Sequence, residues 1–220
     1  MHETTPRLLV SVSGLLPGAP LDAAVALADA LDARRVPLTL LVGPRPHPEV
    51  VAWASARRRV GDAALLRGTR EEGAGSRRPY RRLPAHEAGL RLTAALHARD
   101  ALGLAVDGFA APGWSTSPGT RRALVAAGLG WCVDDTGVHR LGLGGATVRS
   151  WHGPVVTAAP RRTLRWRPSR PEPVLCHLAL DARTPLARAG ALIDEALAAG
   201  ATPLASSEIV PPRVRGLRPT

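Results

Sequence analysis

Lysine, asparagine and glutamine are absent from the 220 residues, so all 29 basic side chains are arginines. Aromatic residues make up only 3%, and cysteine occurs twice, at Cys132 and Cys176. Two cysteines without a C-x-x-C spacing form neither a disulfide framework nor a metal pair, and the expectation is two reduced thiols in a cytoplasmic protein. No apolar run approaches the roughly 18 residues that a membrane span requires, and no period of about 20 to 50 residues recurs. Transmembrane and solenoid architectures are therefore set aside. What remains, with 45% hydrophobic residues, is enough apolar surface for one globular α/β domain, expected over residues 1–207 with a Pro/Arg-rich tail over 208–220.

The charge balance of 29 basic against 18 acidic residues gives a net charge of +11. Clustered guanidinium groups bind phosphates and release counterions, which raises nucleic acid as a partner. The missing lysines, beside abundant Ala, Gly, Pro and Leu, also fit codon bias in a GC-rich genome, which makes part of the arginine excess mutational. At the N-terminus, Leu8 to Leu16 could be the apolar core of a secretory signal. Glu3 in the would-be basic region, and Pro17 and Pro20 just after, favour a buried first strand.

Short apolar runs alternate with helical patterns along the whole chain, the signature of a parallel sheet wrapped by helices. Strands are expected at 8–13, 37–42, 63–67, 108–111, 130–133, 155–158, 174–178 and 202–205. Helices are expected at 21–34, 48–58, 84–102, 118–127 and 185–199, several opened by proline and closed by glycine. Residues 68–83 form a long polar connection and a candidate lid, 136–151 a glycine-rich stretch of turns or a short hairpin, and 161–173 an Arg/Pro surface connection. Either an open doubly wound sheet or a small distorted β/α barrel fits. In both, chemistry belongs at the carboxyl ends of the strands.

Those ends carry Ser11, Ser13 and Gly14; Arg67 and Gly68; Pro112, Gly113 and Trp114; Cys132, Asp134 and Asp135; and Cys176, His177 and Asp181. The order V-S-V-S-G, L-L-R-G, F-A-A-P-G-W and L-C-H resembles the polysaccharide deacetylase superfamily, whose NodB-homology domain is a distorted, seven-stranded parallel β/α barrel. The resemblance implies metal-dependent removal of N- or O-acetyl groups from carbohydrates, with zinc or another divalent ion as cofactor. It also places His177 as general acid, and Pro112, Gly113 and Trp114 in the acyl or sugar groove.

The departures lie at the metal. Where the family has T-F-D-D-G this chain has Ser11-Val12-Ser13-Gly14, and where it has L-x-H-G this chain has Leu65-Leu66-Arg67-Gly68. A hydrolytic metal wants about three His or carboxylate ligands and an open position for water, which serines and an arginine do not supply. Asp134 and Asp135 are the carboxylates left to orient His177 or hold an ion. His86 and His97 share a helix but stand three turns apart, about 16 Å, and are read as surface or packing histidines.

Other patterns carry less. Gly113-Trp114-Ser115-Thr116-Ser117 lacks the second glycine of a nucleophile elbow, and Gly142-Leu143-Gly144-Gly145 is no dinucleotide fingerprint. The reading that follows is a carbohydrate deacetylase-like hydrolase or a degenerate relative. One alternative is an inactive barrel that binds a sugar or other anionic small molecule through Arg67, with Ser11 and Ser13 in the site. A second is nucleic-acid binding by the arginine clusters at 57–59, 77–82 and 161–167, where Tyr80 and Trp166 would stack on bases.

Overall fold

The computed structural model describes residues 5–68, 78–100, 103–157, 175–204 and 208. Strands β1 (Arg7–Ser13), β2 (Leu38–Val42), β3 (Ala63–Arg67), β4 (Gly108–Ala110) and β5 (Trp131–Asp134) follow one another as parallel neighbours. Next come β6 (Gly137–Leu141) and β7 (Thr147–His152), an antiparallel hairpin on the β5 side, then β8 (Val155–Thr157) and β9 (Leu175–Asp181). The strand order is β7-β6-β5-β4-β3-β2-β1-β9-β8, with β10 (Thr202–Pro203) also pairing β1. Seven strands, β5 to β8 along that path, run parallel and curl into a distorted β/α barrel.

Helices α1 (Ala19–Asp32), α2 (Pro48–Arg59), α3 (Ala85–Asp100), α4 (Pro118–Ala126) and α5 (Leu186–Ala198) wrap the outside. Proline stands in the first turn of α1, α2 and α4, where its missing N–H costs nothing. Ser117 caps α4, its Oγ accepting from the Thr120 N–H at 2.9 Å. Beyond α4 and α5, Gly128 (φ 77°) and Gly200 (φ 84°) take the left-handed turn that ends a helix.

Period two sorts each strand between two cores. Leu8, Val10 and Val12 of β1, Leu40 of β2, Leu66 of β3 and Cys132 of β5 pack outward under the helices. Leu9, Leu41, Leu65, Ala110, Trp131, Val133 and Trp151 fill the barrel interior. Burial on both faces explains why these strands read as unbroken apolar runs. Both cysteines are buried and unbridged, and burial pushes the thiol of Cys132 up to about 12 and that of Cys176 up to about 11.

Several expectations shift. The glycine-rich stretch forms the short hairpin that was one of its two expected alternatives, whereas β9 runs three residues past Leu178. His177 therefore lies inside a strand, not after one, because Ala179, Leu180 and Asp181 continue the pairing with β1. Arg57, expected in a basic patch, clamps Asp32 at 2.6 Å and Asp62 at 2.5 Å, while Arg58 holds Asp107 at 2.5 Å. Tyr80 is buried edge-on against Phe109, with ring centroids 5.1 Å apart, so its ring is not offered to a base. The stretch 161–173, with Trp166, most of the candidate lid and nearly all of the tail lie outside the described residues.

Gly68 marks where the chain leaves β3. A Cβ there would sit 2.7 Å from Tyr80 and 2.9 Å from both Phe109 and Pro112. Gly68→Ala is expected to lower stability by roughly 1–3 kcal/mol, the usual effect of overpacking, and a thermal melt measures it.

Candidate functional site at the barrel mouth

Interior parity gathers part of the site. Ser11 on β1 and His177 on β9 face inward on adjacent strands, and Ser11 Oγ lies 2.8 Å from His177 Nε2. Both are buried, and His177 Nδ1 has no hydrogen-bond partner among the described residues. Trp114 packs edge-on against the His177 ring, centroids 5.0 Å apart, and the Arg67 guanidinium stacks over the Trp114 ring at 4.4 Å. Ser13 Oγ donates to the Leu180 carbonyl at 3.3 Å. Four of the residues expected from the sequence, Ser11, Arg67, Trp114 and His177, thus form one connected cluster.

The turn that presents Trp114 is strained. Gly113 (φ 68°) and Trp114 (φ 55°) both take left-handed backbone, which is rare for a bulky side chain. It is held by the Trp114 N–H donating to Ala111 O at 3.0 Å and by the Asp135 N–H donating to Trp114 O at 2.6 Å. Pro112 is buried beneath it.

Electrostatics decide what His177 can do. Burial strips solvent from the ring and the Arg67 cation repels a second charge, so its pKa falls to about 3. A ring held neutral at pH 7 has no imidazolium proton to deliver. The environment favours a hydrogen-bonding imidazole over the proton donor that the L-C-H motif suggests.

The two aspartates go elsewhere. Val133 points into the barrel, so Asp134, the next residue, points out beneath α4. Its carboxylate accepts from Thr116 Oγ1 at 2.7 Å, Arg121 Nη2 at 2.8 Å, Thr136 Oγ1 at 2.6 Å, Thr136 N at 3.0 Å and His139 Nε2 at 2.9 Å. Burial alone would raise its pKa, but the hydrogen bonds from His139 and Thr136 outweigh it and hold the carboxyl well below the usual range. Asp135 is exposed on the rim and pairs with Arg78 at 3.3 Å. Neither is brought to His177.

Asp181 stands among the strand-end residues of the sequence without an assigned role. It ends β9 at the mouth, and a Cβ on Gly14 (φ 74°) would lie 2.5 Å from its Oδ2. The signal available was its place two strand periods beyond His177. His86 and His97 lie exposed on α3, as expected.

The metal that the resemblance implies does not fit this donor set. The positions that would hold it present two hydroxyls and a guanidinium, and Arg67 is positively charged at every accessible pH. Among the described residues no three His, Cys, Asp or Glu side chains converge as a ligand group.

No family model matches the chain, and no curated protein matches it in sequence. Solved structures do match. A family 4 carbohydrate esterase from Streptomyces lividans, in complex with acetate, superposes with a TM-score of 0.54 at 11% identity, over 91% of this chain and 92% of that one. A Streptococcus mutans esterase of carbohydrate esterase family 4 gives 0.57 at 14% identity, over 90% and 84%. A pseudoenzyme of the same family from Bacillus anthracis gives 0.59 at 11% identity, over 94% and 66%. The chain shares the fold of these carbohydrate esterases. Among the described residues no helix is long and apolar enough to cross a membrane.

Proposed function

We propose that this barrel binds an anionic saccharide, or another small anionic ligand, at its mouth without metal-dependent hydrolysis. The observation that carries the reading is the Arg67 guanidinium, stacked on Trp114 beside a neutral His177 where the resemblance calls for a metal ligand. A guanidinium offers paired donors to a carboxylate or phosphate, and an indole face offers a platform for a sugar ring. The fold neighbour from Bacillus anthracis, itself described as a pseudoenzyme, supports a barrel of this kind that has lost turnover.

The test combines calorimetric titration with an acetate-release assay. Acidic sugars are expected to bind and their neutral counterparts to bind more weakly, and Arg67→Ala is expected to lose roughly 10- to 100-fold in affinity, the worth of a charge-assisted pair. Zinc, manganese or cobalt is expected to stimulate no acetate release from acetylated oligosaccharides. Metal-stimulated release would overturn the reading in favour of the deacetylase chemistry that the resemblance implies.

A further inference from the structure

A second array of reactive side chains lies outside the barrel mouth, on the outer side of the β5–β6–β7 edge. Cys132 pairs with His139, and His139 with Ser150, across two antiparallel ladders. Since Cys132 packs outward, the same register carries His139 and Ser150 to that side. There Asp134 Oδ1 lies 2.9 Å from His139 Nε2, and His139 Nδ1 lies 2.8 Å from Ser150 Oγ.

The protons follow from the partners. Asp134 accepts four hydrogen bonds from Thr116, Arg121 and Thr136, the Arg121 guanidinium among them, which favours its carboxylate; an ionised carboxylate can only accept, so at the His139 contact Nε2 carries the proton. Nδ1 is then left with a lone pair aimed at the Ser150 hydroxyl. A hydroxyl, a base within hydrogen-bond reach and a carboxylate orienting that base are the parts of an activated nucleophile. Asp134 and His139 are buried, whereas Ser150 is half-buried and meets solvent.

The strand supplies the rest. β7 is an edge strand in the described sheet, and along an edge alternate residues turn their N–H away from the neighbouring strand. Either Ser150 or both flanking residues therefore offer an outward backbone donor near the hydroxyl. Leu143 and Val148 are exposed at the turn of the hairpin.

We infer that Ser150 is a nucleophile activated by His139 and oriented through Asp134, and that it takes short acyl groups from activated esters. Ser150 Oγ bonds the acyl carbon as its proton passes to His139 Nδ1. The ester C–O bond breaks and the leaving oxygen takes that proton. Water then attacks the acyl-serine by the same base, releasing the carboxylic acid and restoring Ser150. The step uses no metal and no residue of the barrel mouth, so it stands apart from the ligand-binding reading.

The test uses the full chain in chelator-treated buffer, with a fluorophosphonate probe and p-nitrophenyl acetate. Peptide mapping is expected to place the label on Ser150, at a rate roughly 100-fold or more above that of the same residue in the urea-unfolded chain. Ser150→Ala, which removes one half-buried hydroxyl, is expected to melt normally and to lose both label and esterase activity. His139→Gln is expected to lose both as well; if that variant does not fold, the Ser150→Ala comparison decides alone. Labelling of Ser150 no faster than in the unfolded chain, or hydrolysis that persists in Ser150→Ala, overturns the proposal and leaves the array as a lock on the hairpin.

Discussion

Lowering the pH from 7 to 4 is expected to reduce the stability of this protein by about 3 kcal/mol through His177 alone. The folded ring has a pKa of about 3, against 6.5 for the ordinary imidazole. Between those values the unfolded chain binds a proton that the folded chain refuses. The stability from the neutral ring is thus complete above pH 6.5 and is lost as the pH falls toward 3. The measurement is the urea midpoint at successive pH values for the wild type and for His177→Gln, which retains a hydrogen-bonding group beside Ser11. The variant should show a flatter profile across this window. Parallel profiles would mean that the imidazole gains a proton without opening the barrel.

Asp134→Ala is expected to destabilise the fold by about 3–5 kcal/mol, measured by chemical denaturation at pH 7. The carboxylate ties together the loop before α4 through Thr116, α4 itself through Arg121, and the hairpin through Thr136 and His139. Its removal leaves the Arg121 cation without its partner and several donors unanswered. Because its folded pKa is depressed, this contribution is present above the unfolded carboxyl value near 4 and disappears below it. The acid profile therefore has two limbs, His177 between pH 6.5 and 3, and Asp134 below about 4. A loss under about 1 kcal/mol for Asp134→Ala would show that the network is solvated and of little weight.

Much of the barrel was legible because its strands are buried on both faces and several of its helices begin near a proline and end at a glycine. The hairpin was only half legible. Gly137, Gly142, Gly144 and Gly145 read as turns, yet Val138-His139-Arg140 between them and the 147–152 run after them pair into strands. At the mouth, the resemblance and the strand-end rule together brought Ser11, Arg67, Trp114 and His177 to one place. Asp134 could have been set aside from its neighbour, since Val133 is an interior residue and period two turns the next side chain outward. The partnership of His139 with Ser150 had no local signal, because it depends on cross-strand register that only the folded hairpin defines.

The sheet order has a consequence for how this protein is made. β1, near the start of the chain, lies between β2 and β9, and the Ser11–His177 hydrogen bond joins residues 166 positions apart. On the ribosome, β1 to β5 can pair with one another as they emerge, but the open flank of β1 must wait for β9. At about 5–20 residues per second, that wait lasts many seconds, during which an apolar strand edge stands uncovered to chaperones and to other nascent chains. Sequence-distant pairing of this kind also slows refolding in the test tube. The barrel mouth is thus the last part to be completed, and a chain stalled before residue 175 carries Ser11, Arg67 and Trp114 without the His177 that joins them.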